Sequence, residues 1–360
     1  MDRRTLVQRT GLAGMLAAGV APAVHAQPVI RWRLVSSFPK SSDTIYGAAE
    51  LFARMVKGMS NGRMEVSVHE GGELVPAFGV VDAVQNGTVE MAHTVPYYFY
   101  SKSPAFALGS AVPFGFNARQ MTAWMLHGNG RKLMNEFYAH YNIVSFAGGN
   151  TGTQMGGWFL REVRAPADFK GMKMRLGGGL VGEVMAKLGV IPQSIPGGEI
   201  YQALQKGQID AAEWIGPYDD QKLGFHKVAP YYYYPGWWEG GPEVDFFVQR
   251  KALDSLPNDL KLIVEAATAM AHSDMLARYD ANNPLALKQL VTAKTKVLPF
   301  SQAVMDAAFK ATMEVFADND AKSPEWRKIY AAMRSFQRDQ ILWFRFAEAR
   351  YDTFMSAQKI

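Results

Sequence analysis

The sequence predicts an α/β protein of two similar lobes joined around a cleft, and three observations lead there. The chain has 360 residues, 48% of them hydrophobic, more than one core of ordinary size organises. Its apolar periodicity switches repeatedly between two and 3.6 residues, as strands and helices alternate. One stretch also occurs twice, since Ala83-Val84-Gln85-Asn86-Gly87-Thr88-Val89-Glu90-Met91-Ala92 returns in type as Ala203-Leu204-Gln205-Lys206-Gly207-Gln208-Ile209-Asp210-Ala211-Ala212. Each copy follows a Gly-Gly-Glu at a different spacing. Two copies read as one β-α-β module used once in each lobe, rather than as a solenoid. The competing reading is a chance match of common helix-Gly-strand grammar.

Composition excludes several function classes. Charged residues make up 20% of the chain without a like-charge run, so neither disorder nor a nucleic-acid arm is indicated. The formal charge is +5, of which Arg3, Arg4 and Arg9 with Asp2 supply +2. The mild remainder suits an anionic ligand better than DNA or RNA. With no cysteine, disulfides, thiolate zinc sites and thiol nucleophiles are excluded.

Residues 1–26 carry Arg3-Arg4, an apolar Gly11–Val20 and small residues before Gln27. This is an export signal of the twin-arginine kind, cleaved after Ala26. Its apolar run is shorter than the roughly 20 residues a membrane-spanning helix needs.

The first lobe is expected over residues 27–150. Ile30, Trp32 and Leu34 alternate with Arg31 and Arg33 in a strand. A helix with Ile45, Phe52, Val56 and Met59 on one face ends at Asn61-Gly62, and Met64, Val66 and Val68 open the next strand. Val89–Val95 is strand-like and leads into the aromatic Tyr97–Tyr100. A helix over Gln120–Tyr138 is interrupted at Gly128-Asn129-Gly130, and Ile143 to Asn150 makes the first crossing between lobes. The second lobe, 151–240, contains Met172, Met174 and Leu176 alternating with Lys173 and Arg175, so Arg175 points away from the face its neighbours bury. The strand breaks at Gly177-Gly178-Gly179, and Val181, Val184, Met185 and Leu188 form a helical stripe ended by Gly189. Val190–Ile195 is strand-like, Gly197-Gly198-Glu199 opens a short helix, and Ile209 to Trp214 emerges from it. Residues 241–323 return to the first lobe through a strand at Val244–Gln249, helices over Pro257–Asn282 and Gln302–Asp318, and a strand-like Lys294–Phe300.

Residues 324–360 read as one long C-terminal helix, because Trp326, Ile329, Tyr330, Met333, Phe336, Ile341, Phe344, Tyr351 and Met355 recur near 3.6 residues. Such a helix is roughly 50 Å long and outruns a lobe of this size. Its surplus aromatic face points to a homodimer formed by helix exchange. The alternative is a helix that bends near Arg338–Gln340 and packs on its own lobes.

Three constellations carry candidate chemistry. Arg175, at a strand end between Gly-rich segments, can hold a carboxylate with its planar fork, with Asn150 and Gln154 as neutral polar neighbours. Glu213 and Glu239 each stand beside tryptophan, where a carboxylate is costly without a partner, and oxygen ligands of this kind suit a hard cation such as sodium or calcium. Taken from spacing alone, two surface glutamates remain the simpler reading. Third, Gly177-x-Gly179-x-x-Gly182 fits the dinucleotide fingerprint between a strand and a helix, which leaves an exported nucleotide-dependent oxidoreductase as the alternative. Against it, Glu199 follows Pro196-Gly197-Gly198 rather than ending the second strand. No Gly-x-Ser-x-Gly or His-Glu-x-x-His occurs, and the 7 histidines are scattered.

At these residues the chain resembles the substrate-binding subunit of tripartite ATP-independent periplasmic (TRAP) transporters. The matches are the export signal, the Leu-Val-Ser-Ser-Phe-Pro opening, Phe169-Lys170-Gly171-Met172-Lys173-Met174-Arg175, the Ala-Leu-Gln-Lys-Gly-Gln-Ile-Asp-Ala-Ala-Glu-Trp run and Tyr-Pro-Gly-Trp-Trp-Glu. The resemblance implies a type II-like, two-lobed periplasmic binding protein that catalyses nothing and serves TRAP membrane permease subunits. It implies that Arg175 grips the ligand carboxylate. Glu213-Trp214 with Glu239 is similar to the branch that binds 2-oxo or 2-hydroxy monocarboxylates, such as pyruvate, with a metal ion. By that resemblance Gln154, Glu213, the Trp214 carbonyl and Glu239 are metal ligands, with Asn150, Gln154, Tyr100 and Trp214 around the substrate and sodium favoured over calcium. The charges agree: Arg175, two glutamates and a monoanion leave −2, which sodium reduces to −1 and calcium to zero, and an uncompensated −2 in a closed cleft is expensive.

Overall fold

The computed structural model of the protein describes residues 28–358; the expected export signal lies outside them. In the first lobe, β1 (Ile30–Ser36), α1 (Ile45–Met59) and β2 (Met64–His69) form the expected β-α-β start, with the strands parallel and Ile30 opposite Met64. Then come α2 (Val80–Gln85), β3 (Met91–Thr94), 3-10 turns at Pro96–Phe99 and Pro104–Gly109, α3 (Ala118–His127), α4 (Gly130–Tyr138) and β4 (Ile143–Asn150). The break between α3 and α4 sits where expected, with Asn129 in the left-handed region at φ 76.

The second lobe holds β5 (Trp158–Phe159), β6 (Lys173–Arg175), α5 (Gly179–Lys187), β7 (Ile191–Gln193), α6 (Ile200–Gln205), β8 (Ala211–Ala212), α7 (Pro217–Leu223) and β9 (Tyr231–Tyr234). The chain returns through β10 (Glu243–Gln249), α8 (Arg250–Asp254), α9 (Asn258–Thr292), β11 (Lys296–Pro299), α10 (Gln302–Lys322), α11 (Pro324–Phe346) and α12 (Glu348–Ser356).

The sheets are β2-β1-β3-β10-β4 and β11-β9-β5-β8-β6-β7. Read from the β7 end, the second repeats the first. A first strand lies between the next two in sequence, both parallel to it, and an antiparallel strand follows, β10 in one lobe and β5 in the other. The duplicated stretch occupies equivalent places, α2 into β3 and α6 into β8. Both copies turn on a glycine with positive φ, Gly87 at +71 and Gly207 at +65. Each glycine N–H closes its turn on a helix carbonyl, Val84 O at 3.0 Å and Leu204 O at 3.1 Å. A β-carbon there would be strained, which is why the repeat keeps glycine at that position.

Three expectations change. The helix expected to stop at Asn282 continues through Pro284 to Thr292. Pro284 is exposed, so water can replace the backbone bond it removes. This 35-residue α9 packs on α1 and β4 in the first lobe and on α7 in the second. The segment 241–323 returns only in part: β10 enters the first sheet, whereas β11 pairs in parallel with β9 at the edge of the second. Finally, the C-terminal helix is not continuous to the end, because Ala347 (φ −93, ψ −95) separates α11 from α12. The expected bend near Arg338–Gln340 falls at this later point. Trp326, Ile329, Tyr330 and Met333 of α11 are buried on the protein's own lobes, and Phe336 packs against Trp124 and Phe116. Beyond them Phe346 is 72% and Tyr351 67% exposed.

His93, on β3, is fully buried between Phe38 and Phe246, with only Ser36 Oγ near its ring at 3.3 Å. Burial lowers its pKa from 6.5 to about 3. The unfolded chain therefore binds the extra proton first, and the stability tied to neutral His93 is lost as pH falls from 6.5 towards 3. Between pH 7 and pH 5 the protein is expected to lose about 2 kcal/mol more than a His93→Gln variant does. Denaturant melts of both at the two pH values check this, and equal losses would exclude it.

Candidate functional site

The site forms at the carboxyl ends of the parallel strands, where ligands of open α/β sheets gather. β6 is held between β7 and β8, with Arg175 opposite Gln193 on one side and Ala212 on the other. Arg175 leaves the Met174 face as expected, yet it is only 1% exposed, because the first lobe covers it. Its Nε donates to the Ile195 carbonyl at 3.0 Å; Nη1 donates to the Glu213 carbonyl at 2.9 Å and to Glu213 Oε1 at 2.5 Å. The guanidinium lies 5.1 Å from the centroid of the Trp214 ring, within cation–π range. Its other nitrogen, Nη2, is buried with no hydrogen-bond partner.

Glu213 and Glu239 are each 1% exposed. One oxygen of each lies near Gly177: a β-carbon there would stand 3.0 Å from Glu213 Oε1 and 3.4 Å from Glu239 Oε1. The Tyr97 hydroxyl, from the first lobe, donates to Glu239 Oε2 at 3.2 Å. Burial pushes both carboxyls above their ordinary range, and the neighbouring Glu213 pushes Glu239 further, while Arg175 opposes the shift in both. Glu213 Oε2 has no partner.

Gln154 joins them from the loop after β4. Its N–H donates to the Glu239 carbonyl at 3.1 Å, and its own carbonyl accepts from Gly236 N–H at 2.9 Å, so the two interlobe loops hold each other in register. Gln154 Nε2 donates to Thr151 Oγ1 at 3.1 Å, leaving Oε1 buried and unpartnered. The Trp214 ring lies against Phe38 of the first lobe, and no backbone N–H among the described residues donates to the Trp214 carbonyl. Arg175 Nη2, Glu213 Oε2 and Gln154 Oε1 are thus one donor and two acceptors buried without protein partners. Native interiors seldom tolerate this unless a further group completes the set.

The site draws together Arg175, Gln154, Glu213, Trp214 and Glu239, while the Asn150 and Tyr100 side chains have partners of their own. Asn150 Nδ2 donates to the Gly241 carbonyl at 3.0 Å and Oδ1 accepts from Gly152 N–H at 2.9 Å. These bonds fasten the crossing between the lobes. The Tyr100 hydroxyl faces Glu183 and Asn319 rather than Arg175. Tyr97 and Tyr98 take its place, with Tyr98 in reach of the Arg175 guanidinium. Burial raises the Tyr98 phenol to about 12. In the register of the duplication Glu213 and Trp214 correspond to His93 and Thr94, so the repeat carried no signal for Tyr97 and Tyr98.

The Gly177-x-Gly179-x-x-Gly182 run does not serve a dinucleotide. The Tyr97 ring covers Gly177 and Gly178, and the Tyr100 ring covers Gly179, filling the approach a pyrophosphate would need. Among the described residues no group of three or more His, Asp or Glu could hold a metal ion. The set here, two carboxylates with an amide and a carbonyl, belongs to the oxygen-ligand chemistry of sodium and calcium.

Residues 35–322 match the family described as bacterial extracellular solute-binding protein, family 7. A monocarboxylate 2-oxoacid-binding periplasmic protein of Nostoc sp. is 46% identical over 350 residues, 97% of this chain and 96% of that protein. A TRAP transporter solute-binding protein from Bordetella bronchiseptica superposes with a TM-score of 0.90 at 47% identity, covering 92% of this chain and 98% of the other. That protein is a mixed-occupancy dimer, with copurified calcium and picolinate bound in one active site and the other site apo. A TRAP periplasmic solute-binding protein from Pseudoalteromonas atlantica, with bound sodium and pyruvate, superposes at 0.86 with 40% identity over 92% of this chain and 100% of the other. The fold, the duplicated lobes and the buried cleft thus have their counterpart in a known group: the chain belongs to family 7 of the bacterial extracellular solute-binding proteins, the solute-binding proteins of TRAP transporters.

Proposed function

We propose that the protein captures a small 2-oxo monocarboxylate such as pyruvate together with a cation, sodium in preference to calcium, in the periplasm, and delivers it to TRAP membrane permease subunits. The observation that carries this reading is the buried, unpartnered set of Arg175 Nη2, Glu213 Oε2 and Gln154 Oε1 beside Glu239. Arg175 Nη2 supplies the donor for a carboxylate. Gln154, Glu213, the Trp214 carbonyl and Glu239 supply the oxygens for the cation, which when bound neutralises the carboxylates and holds the ligand's own oxygens.

The ligands of the two solved relatives support the 2-oxo acid. Picolinate and pyruvate share a carboxylate with a second donor atom on the adjacent carbon, the arrangement that chelates a cation in a five-membered ring. Sodium is favoured because Glu213 Oε1 already accepts from Arg175 and Glu239 Oε2 from Tyr97. An oxygen that already takes a proton is a weaker second arm for the bidentate clamp that helps to fill calcium's shell of 6–8 oxygens. Hinge motion between the lobes, along α9 and the two crossings, is the natural means of capture and release.

The exposed apolar end of α11 with α12 supports a homodimer. Leu342, Trp343, Phe346, Tyr351 and Phe354 are all more than half exposed, a patch seldom left open on a monomer. A second copy of the same helix is the self-complementary surface that covers it.

Calorimetry is expected to find pyruvate binding that depends on sodium and weakens by an order of magnitude or more for acetate, which lacks the 2-oxygen. Glu213→Gln and Glu239→Gln should each weaken cation and pyruvate together, since coupling between two ligands of one site is reciprocal. Equal pyruvate affinity in cation-free buffer would sink the shared site.

Arg175→Lys keeps the charge but not the planar fork, and should cost roughly 2–5 kcal/mol of pyruvate affinity. Unaltered affinity would remove Arg175 from the ligand.

Light scattering at micromolar concentration is expected to return a dimer for the mature chain and a monomer for a truncation after Asp339, which keeps Phe336 and its contacts. A monomeric mature chain would refute the pairing.

A further inference from the structure

The three consecutive glycines of the second lobe are not required by backbone angle, since none of Gly177, Gly178 and Gly179 has a positive φ. They are required by space. A β-carbon on Gly178 would stand 3.0 Å from Tyr97 Cδ2, and one on Gly179 would stand 2.5 Å from Tyr100 Cδ1. Both tyrosines belong to the turn after β3, in the opposite lobe. Gly179 begins α5, and Glu183 lies four residues on, directly above it on the same helix face. The Tyr100 ring rests on Gly179 while its hydroxyl donates to Glu183 Oε2 at 2.9 Å and accepts from Asn319 Nδ2 of α10 at 3.0 Å. Tyr100 is 8% exposed and Asn319 5%. Burial holds the Tyr100 phenol well above its ordinary range, so it remains a donor. The contact stands at the rim of the cleft, beside a depression lined by Tyr98, Leu176, Gly178 and Gln193.

We infer that Tyr100, seated on Gly179 and bonded to Glu183 and Asn319, is a latch that holds the two lobes closed: a positioning residue that sets how long the ligand stays and does not touch it. The glycines give the ring its seat. Any larger residue at 179 would hold α5 away from the first lobe, and loss of the hydroxyl would leave the closed lobes without their polar tie at the rim. Ligand enters while the lobes are open, and the latch adds only to the closed form with which the open one exchanges, so it acts on escape and hardly on entry.

The inference rests on the 2-oxo acid reading for its ligand, and its test keeps the two apart. Stopped-flow tryptophan fluorescence with pyruvate and sodium would measure kon and koff for the wild type, Tyr100→Phe and Gly179→Ala, with thermal melts as a check on folding. Tyr100→Phe is expected to raise koff about tenfold, the loss of one hydrogen bond to a charged acceptor, with kon and melting temperature nearly unchanged. Gly179→Ala should raise koff at least as far. A purely structural tyrosine would lower the melting temperature and leave koff alone, and koff within twofold of wild type in both variants overturns the latch. A wild type that binds no 2-oxo acid defeats the ligand reading instead. The latch is then decided by small-angle scattering of the ligand-free proteins: a larger radius of gyration in both variants supports it, and superimposable curves overturn it.

Discussion

The buried pair of Arg175 and Glu213 is the constraint on which the rest of the cleft depends. Two opposite charges at 1% exposure each give up hydration that their mutual attraction alone repays poorly. The protein offsets the difference with geometry. The Ile195 and Glu213 carbonyls take guanidinium protons, and the Trp214 ring lies beneath the cation. What remains is deliberate incompleteness, with one nitrogen and one carboxylate oxygen unspent. A site that satisfied all of its own groups would have nothing left with which to recognise an anion and its cation.

On the proposed reading, the second glutamate gives that incompleteness a function. Glu239 arrives on a turn whose carbonyl is held by Gln154 N–H, and its carboxylate is met by a tyrosine of the other lobe. The four oxygen donors all lie within residues 151–240, so cleft closure adds the Tyr97 hydroxyl and a covering wall to a set the second lobe already carries. An open cleft would leave Glu239 without Tyr97 and would wet the Arg175 environment, weakening every electrostatic contact there. Tight binding and a closed conformation are coupled through these groups without need of a separate signal.

Much of the fold was legible in the sequence, because it rests on local periodicity. The strand at Met172–Leu176, the helix ending at Gly189 and the duplicated helix-Gly-strand stretch all follow from side-chain alternation and from glycines that a left-handed turn requires. The family resemblance likewise placed Arg175, Gln154, Glu213, Trp214 and Glu239 in one cleft, where the structure brings them together. The remainder depended on contacts between lobes, to which local pattern is blind. Pro284 reads as a helix stop until the exposure of that turn is known. The partners of Tyr100 and Asn150, Glu183 and Asn319 for one and two backbone groups for the other, are far away in sequence or unmarked by any local pattern. The triple glycine fits a nucleotide loop until the tyrosines lying on it are known.

The strand order has a consequence for how the molecule comes into being. β10 sits between β3 and β4, so the first sheet lacks an interior strand until the chain has passed through most of the second lobe. A nascent chain ending between Asn150 and Glu243 leaves β3 an open edge and β4 without its neighbour, whereas β10 pairs with both in the finished sheet. Such contacts join residues far apart in sequence, and their loop-closure entropy makes assembly slow. The lobes cannot be produced as separate folding units; the long-range pairing that makes them hinge together also makes them fold together, and it exposes the half-built first sheet to mispairing for as long as its missing strand is unmade.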